Sequence, residues 1–388
     1  MKQPSLNLSI HQTRLQSGLS LIELMISITI GLLILASLST LFINQNKSRI
    51  ELDKSNRMID NGRYAMELLS TNLRLAGFYD NFAPVSPATA VYDPCDAAAL
   101  TDPTKNFSIL NLHVQGYNAA TATTQIATMP CAAALNTTAN ASYCSPTYTT
   151  VNACTLKAGS DILVVRRAST ATSSAVNKLT YLQVSMCQTD TAAPPNNYQI
   201  VTAPAVSPVS FTSMHKKDCA TTSDLRQFMT NTYFISPNNN VTGGVGDGIP
   251  TLKQLDQFGT VTPLVEGIEY LQVDYGVDGD SNSDGIMDDI NLDGAINSDD
   301  LDGAADSYSA TCTGCLTTAD WAKYWSNVVS VRINIVARNQ DKTTGSSDSK
   351  SYNLGLAGSF TPTGTDLTYK RHSFTQLIRL VNPSGRRE

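Results

Sequence analysis

Aspartate and asparagine side chains recur at alternate positions in residues 278–303, the densest group of possible metal ligands in the chain. From Asp274 to Asp306 there are eleven Asp and no Lys or Arg. The simplest interpretation of an acidic run is a solvated loop, but carboxylates this close together repel one another unless a cation lies among them. The spacing favours a cation, because residues 289–300 follow the D-x-[DN]-x-[DN]-G pattern of a calcium-binding loop.

Two overlapping loops of this pattern are predicted, the second in a dockerin-like form. Its oxygen ligands come from alternate side chains and one backbone carbonyl, and Gly294 allows the sharp turn. These ligands are Asp289, Asn291, Asp293, Ala295 (by its carbonyl), Asn297 and Asp300. The first loop offers Asp280, Asn282, Asp284 and Asp288, with Asp289 as a further oxygen, but ends in Asn291 and is weaker. We therefore expect one Ca²⁺ in the second loop, and a second ion only if both overlapping loops fill. Mg²⁺ fits less well, because few positions are left for water.

Eight cysteines predict covalent cross-links rather than metal or redox chemistry. The candidates are Cys95, Cys131, Cys144, Cys154, Cys187, Cys219, Cys312 and Cys315. An even count without a repeated zinc-finger spacing favours disulfides and a compartment outside the cytoplasm. The sequence does not choose among the pairings. Cys312-x-x-Cys315 could be a redox pair, but no βαβ unit is visible around it, which favours a local structural disulfide.

The rest of the sequence contains no recognised catalytic motif. The chain has four His and lacks G-x-S-x-G, H-E-x-x-H, P-loop and G-x-G-x-x-G motifs. The net charge of −6 and the pI near 5.3 argue against a globally basic nucleic-acid binder. We expect a protein that is not an enzyme and does not bind nucleic acid.

One further carboxylate stands alone in an apolar segment. Residues 19–43 contain Glu23 as their single charge, and as a helix they would span roughly 37 Å, enough for a hydrocarbon core of about 30 Å. Lys2 and Arg14 precede this segment, so the positive-inside rule places the leader in the cytoplasm and the rest outside it.

Two ordinary interpretations of this segment are less satisfactory. A secretory signal peptide has a shorter apolar core, and its small residue follows that core, whereas Gly18 precedes it. A plain single-pass anchor leaves Glu23 unexplained, because a carboxylate in the membrane costs roughly 2.5–3.5 kcal/mol.

The residues Gly18-Leu-Ser-Leu-Ile-Glu-Leu24 resemble the class III signal of type IV pilins and type II secretion pseudopilins. The resemblance implies that a prepilin peptidase cuts after Gly18 on the cytoplasmic side and methylates the new amine of Leu19. It also implies that Glu23 pairs with the amine of a neighbouring subunit, and a buried carboxylate is tolerable when a buried cation meets it. Leu19 stands where the family usually has Phe.

Helical spacing continues beyond the membrane segment. The apolar stripe consists of Met58, Ala65, Leu69, either Asn72 or Leu73, and Ala76, widened by Tyr64, Leu68 and Leu75. We expect one helix over about residues 20–76, with Gly77 as its stop. Residues 19–50 are expected to pack between subunits, and residues 55–76 on the protein's own head.

Three segments are similar to the PilW family of minor pilins. They are GRYAMELL with LRLAGF at 62–78, VEGIEYLQVDYGVD at 265–278 and VVSVRINIVAR at 328–338. Residues 83–260 show no resemblance. The similarity implies a bacterial inner-membrane protein that later enters the pilus, at its base or tip, and serves twitching motility. Implied partners are the prepilin peptidase, the major pilin, other minor pilins and the inner-membrane assembly platform. Calcium in the heads of some relatives agrees with the acidic loops.

The expected fold class is α+β and type IV pilin-like, with one long helix packed on an antiparallel sheet and long disulfide-stapled loops. Strands are predicted at 161–167, 180–186, 198–203, 230–236, 267–277, 328–338 and 373–381. In the 328–338 strand, Val331, Ile333 and Ile335 should point one way and Arg332 and Asn334 the other. The domains are a leader at 1–18, a transmembrane assembly helix at 19–43, its amphipathic continuation at 44–77 and a head at 78–388.

The expected function is that of a minor pilin which initiates or caps a type IV pilus. A minor pseudopilin of a type II secretion system would share every N-terminal feature. An alternative of another class is a membrane-anchored, calcium-binding adhesin or hydrolase, which would not need the processing site.

Overall fold

The structure is a computed structural model, and it describes residues 18, 20–84, 88–96, 99–100, 102, 104–118, 156–174, 178–190, 197–203, 211–242, 245–289, 300–343 and 345–387. The chain divides into two compact units, Met1–Asp53 and Lys54–Glu388. The described helices are α1 Leu21–Arg74, α2 Asn106–Asn111, α3 Thr318–Ser326 and α4 Val381–Ser384.

Helix α1 is 54 residues long and contains no proline that would interrupt it. It ends three residues before Gly77, which adopts the left-handed conformation (φ 70°) that favours glycine. The buried residues of α1 all lie in its second half: Met58, Gly62, Ala65, Met66, Leu69, Ser70 and Leu73. Steps of three and four place them on one face, so the predicted stripe is confirmed. Tyr64 is the exception, since it is 58% exposed and does not widen the stripe.

Within the described residues the strands are β1 Val114–Tyr117, β2 Ile162–Ala168, β3 Thr180–Val184, β4 Tyr198–Thr202, β5 Leu225–Ser236, β6 Val241–Thr242, β7 Val245–Gly246, β8 Thr251–Asp256, β9 Val261–Glu266, β10 Ile268–Val277, β11 Ser307–Ser309, β12 Val328–Arg338, β13 Tyr352–Asn353, β14 Ser359–Phe360 and β15 Arg371–Arg379. All seven predicted strands are present, and β12 has the predicted bounds. The structure adds β1, β8 and β9 and the short strands β6, β7, β11, β13 and β14, all of which the sequence analysis missed.

The strands form two main antiparallel sheets. The large sheet has the order β1-β2-β5-β3-β4, and β8 and β9 extend it from β5. The C-terminal sheet has the order β11-β10-β12-β15. In its register Ile333 lies opposite Val273 on one side and Gln376 on the other. Two short hairpins, β6-β7 and β13-β14, complete the described pairing.

One apolar cluster joins these elements into the head. It takes Leu69 and Leu73 from α1, Val165 from β2, Val273 from β10 and Ile333 from β12. Full burial of each such side chain contributes about 1.5–3 kcal/mol. The second half of α1 is therefore an integral part of the head core, and the α+β class is confirmed.

The outer face of the C-terminal sheet is covered as well, which the alternation in β12 did not predict. Asn334 points away from the apolar core, yet it is buried. Its Nδ2 donates a hydrogen bond to Asp274 at 3.3 Å, and the backbone N–H of Leu356 donates to the same carboxylate at 3.1 Å. Tyr352 and Leu354 pack nearby on Val336. A loop thus covers this face through buried polar contacts.

A buried ion cluster fixes the same loop. Arg371 donates to Glu269 at 2.5 Å and lies 3.4 Å from Asp348, whose carboxylate also accepts a hydrogen bond from the Tyr352 hydroxyl at 2.8 Å. All four side chains are buried. Loss of one member of a buried ion pair typically costs about 3–5 kcal/mol, so the cluster specifies how the loop meets the sheet.

Candidate functional site

The predicted processing position lies in non-helical chain just before α1. Gly18 is exposed, and no atom lies within 4 Å of the position that a Cβ there would occupy. Leu19 lies outside the described residues. Gly18 itself is therefore open to an enzyme.

Glu23 lies in the first turn of α1 and is exposed. Its Oε2 accepts a hydrogen bond from the backbone N–H of Ser20 at 3.3 Å. A carboxylate here also interacts favourably with the positive end of the helix dipole. Within the single chain Glu23 thus caps its own helix. Because one weak hydrogen bond leaves most of its acceptor capacity free, it can also receive a cation from another molecule.

The first half of α1 presents apolar side chains on every side. Leu21, Ile22, Leu32, Leu33 and Phe42 are all more than half exposed, which an aqueous surface would not tolerate over so large an area. Among the described residues α1 is the helix long and apolar enough to cross a membrane.

Four hydroxyl groups in this apolar half are satisfied within the helix. Ser27, Thr29, Ser37 and Thr40 each donate to the carbonyl four residues earlier, at 2.7, 2.7, 2.9 and 3.1 Å. Such bonds let Ser and Thr sit in a helix that water does not reach. Glu23 is therefore the polar group of this segment that most needs a partner in an apolar environment.

The acidic run is described only in part. In the first predicted loop, Asp280 is buried and accepts hydrogen bonds from the N–H groups of Ser283 and Gly285 at 2.8 and 2.9 Å. Asp288 accepts from Ser281 at 2.9 Å. Gly285 has the positive φ (86°) expected for the sharp turn. These carboxylates thus bind the loop's own backbone.

Metal ligands are not gathered in the part of the chain that the structure describes. There, no group of three or more His, Cys, Asp or Glu is placed to hold an ion. Asp289 and Asp300 are described, whereas Asn291, Asp293, Ala295 and Asn297 of the second loop lie outside the described residues. The calcium prediction therefore stays a prediction.

The acidic region also contains an ion pair that sequence reasoning missed. Asp278 is fully buried, accepts from the N–H of Gly303 at 3.0 Å and lies 2.8 Å from the Arg387 guanidinium. Burial raises the pKa of Asp278, and Arg387 opposes that shift. The partners are 109 positions apart, so local spacing gave no signal for this pair.

The head carries the predicted cross-links. Cys187 pairs with Cys219 and Cys312 with Cys315, and Cys95 is also disulfide-bonded. Cys131, Cys144 and Cys154 lie outside the described residues. The Cys312–Cys315 bridge lies just before α3, and Gly314 in its loop donates to the Asp284 carbonyl at 2.7 Å. This disulfide therefore connects the first acidic loop to α3.

Comparison with known families agrees with both ends of this architecture. The prokaryotic N-terminal methylation motif matches residues 13–39, which include Gly18, Glu23 and the first turns of the apolar helix. An apolar helix with this processing motif, followed by an antiparallel head, defines the type IV pilin class of membrane-anchored proteins.

The match that indicates a family within this class lies in the head. The model of PilW, the type IV pilus-assembly protein W, matches residues 232–382, from the middle of β5 through the whole C-terminal sheet. Together the two matches support a type IV pilus minor pilin of the PilW family. The match includes residues 232–260, for which the sequence analysis found no resemblance, and it does not include residues 62–78. No curated protein and no solved structure matches the chain.

Proposed function

We propose that this minor pilin acts at low copy number to initiate or cap pilus assembly. The observation that carries the proposal is the contrast within α1. Its first half offers an apolar surface with a single carboxylate, while its second half is built into a head of two sheets. A helix of the first kind can pack among other pilin helices, whereas a head of this size could not repeat densely along a filament.

Assembly would begin with removal of the leader. Cleavage after Gly18 would leave a free amine on Leu19, close in sequence to Glu23. In a bundle of such helices the carboxylate of one subunit and the amine of the next would neutralise each other. A carboxylate in lipid costs roughly 2.5–3.5 kcal/mol, and pairing would recover much of this cost. The pairing therefore favours assembled subunits over free ones.

The chain is anchored in a membrane by α1, and we propose that its head lies in the periplasm before assembly. Lys2 and Arg14 precede the apolar segment, and the disulfides require an oxidising compartment. The partners would be the prepilin peptidase, the major pilin, other minor pilins and the inner-membrane assembly platform. The PilW match favours a pilus over a type II secretion pseudopilus.

We also propose that the head binds Ca²⁺ through the second acidic loop. The support is the spacing of Asp289, Asn291, Asp293, Asn297 and Asp300. The first loop ends in Asn291, whereas the second ends in the carboxylate of Asp300, so the second loop is the better candidate.

A deletion strain tests the role. Cells lacking this chain should lose surface pili and twitching motility and should secrete type II substrates normally. Restoration by the wild-type chain, but not by Glu23→Ala, would tie the loss to assembly. Impaired secretion with intact pili would instead make the chain a pseudopilin.

Quantitative mass spectrometry of sheared pili tests the copy number. It should find far fewer copies of this chain than of the major pilin, and a stoichiometric amount would refute the initiating or capping role.

A further inference from the structure

A cavity of about 410 Å³ lies between α3 and the first strands of the large sheet. Trp321 and Trp325 of α3 form one wall, and Gly116 and Tyr117 of β1 form another. The volume is within the range of about 300–1,000 Å³ that is usual for small-molecule sites. None of the features discussed above uses this cavity.

Both tryptophans of the chain line this one cavity. They are four residues apart, so they share a face of α3, and their rings lie 6.3 Å apart at 25°. Trp325 is held edge-on by Tyr275 at 4.8 Å and by Tyr324 at 4.7 Å. Trp321 is only half-buried. The cavity therefore has an aromatic wall that is fixed at Trp325 and accessible at Trp321.

The helix that carries this wall is fixed at its start. Thr317 caps α3 by accepting the N–H of Asp320 at 3.2 Å, and the Asp320 carboxylate accepts the N–H of Thr317 at 2.8 Å. The Cys312–Cys315 disulfide closes the loop immediately before this cap. A wall held in this way loses little entropy when a ligand binds.

The polar groups of the cavity are ordered and neutral. Gln115 donates to the Tyr117 hydroxyl at 2.5 Å, and its own carbonyl accepts from the buried Arg166 at 2.9 Å. Burial raises the pKa of Tyr117, so this hydroxyl stays protonated and can donate. Asn118, Thr311 and Thr318 add amide and hydroxyl groups. None of the described lining residues carries a charge.

We propose that this cavity binds a short, neutral saccharide. The negative faces of aromatic rings attract the positively polarised C–H groups on one side of a sugar ring, while its hydroxyls can pair with neutral amides and hydroxyls. A charged ligand would lose its hydration without meeting a counter-charge. An apolar peptide side chain would leave the polar lining groups unpaired. The inference does not depend on the role in pilus assembly.

Tryptophan emission reports on this site directly, because both fluorophores belong to it. The full chain, in a detergent without a sugar headgroup, is titrated with glucose, galactose, N-acetylglucosamine, cellobiose and lactose. Glucuronate and glucosamine serve as charged controls. We expect a saturable change in emission with at least one neutral saccharide and a weaker response to the charged ones.

Variants then assign the signal. Trp321→Ala should weaken binding about tenfold, equivalent to about 1.4 kcal/mol, and Trp325 remains as the reporter. Thr318→Val removes a hydroxyl group from an exposed position of the cavity lining. It should weaken saccharide binding less than Trp321→Ala does. Leu316→Ala should not change it, because Leu316 is 91% exposed and outside the lining. Thermal melts of each variant separate loss of binding from loss of fold.

Three results would overturn the proposal. They are no saturable change with any neutral saccharide, equal affinity for the charged sugars, and unchanged affinity in both wall variants. If a short apolar peptide changed the emission and the saccharides did not, the cavity would be a docking site for a protein segment and the saccharide proposal would be wrong.

Discussion

Gly267 lies where the β9–β10 turn meets the chain at Pro250 and the end of β12 at Arg338. Its replacement should show how tightly these segments pack. The residue lies between β9 and β10 with φ of 79°. Its N–H donates to the Pro250 carbonyl at 2.7 Å, and its carbonyl accepts the Arg338 N–H at 2.8 Å. A Cβ at this position would lie 2.9 Å from the Arg338 carbonyl oxygen. Gly267→Ala therefore meets both an unfavourable backbone conformation and a rigid neighbour.

The magnitude follows from these two effects. Placing a residue with a Cβ in the left-handed region costs about 1–2 kcal/mol, and overpacking against backbone adds about 1–3 kcal/mol. Gly345 is a matched control, because it has the same φ of 79° and no atom within 4 Å of its Cβ position. Gly345→Ala should therefore lower the free energy of unfolding by about 1–2 kcal/mol, and Gly267→Ala by about 2–5 kcal/mol.

Denaturant unfolding of the full-length variants in detergent micelles, followed by tryptophan emission, measures this difference. Both tryptophans pack in the main apolar cluster of the head, so their emission reports loss of the core. The reasoning is refuted if the two variants are destabilised equally, because the contact with the Arg338 carbonyl would then contribute nothing.

Three other predictions concern assembly, oxidation and calcium. Glu23→Ala should be cleaved normally yet co-purify poorly with other pilus components, and assembly at the wild-type level would remove the pairing role. Thiol labelling of the denatured, unreduced protein should find none of the eight cysteines free; two or more reactive thiols would reopen the redox interpretation of Cys312 and Cys315. Calcium at a hundredfold excess over Kd should stabilise the full chain by about 2.7 kcal/mol. Asp293→Ala should abolish most of this stabilisation, and Asp284→Ala should abolish less of it. If calcium did not stabilise the unmutated chain, the acidic segment 278–303 would be a solvated loop and not a calcium site.

The sequence predicted those helices and strands that show a clear pattern of apolar residues over a short stretch of chain. The alternating β-branched residues of β12 gave its bounds, and the apolar stripe of α1 gave its buried face. Strand β9 was missed because Pro263 within it and Glu266 at its end weaken its strand pattern. The start of α3 could have been found, since Thr317 followed by Asp320 is a capping signal. The nine residues of α3 were too few for a periodic pattern to stand out.

Features that depend on distant residues were beyond the sequence. Glu269 and Arg371 are 102 positions apart, and neither position shows by itself that its side chain is buried. Alternation placed Asn334 on the opposite side from Ile333 and Ile335, but it did not show that a loop covers and buries that face. The pairing of Cys187 with Cys219 could not be predicted either, because it depends on how the 32 residues between them fold. At the N-terminus the signal is local, because the methylation motif, which matches residues 13–39, is a linear pattern that includes Gly18 and Glu23.

The N-terminus of the chain recovered from piliated cells tests the central claim most directly. Mass spectrometry of the membrane and pilus fractions should find a mature protein that begins at Leu19, with a methyl group on its amine, and Gly18→Leu should retain the 18-residue leader. An uncut chain in the wild type, a cut after the apolar segment near Ile43, or normal cleavage of the Gly18 variant would contradict the account.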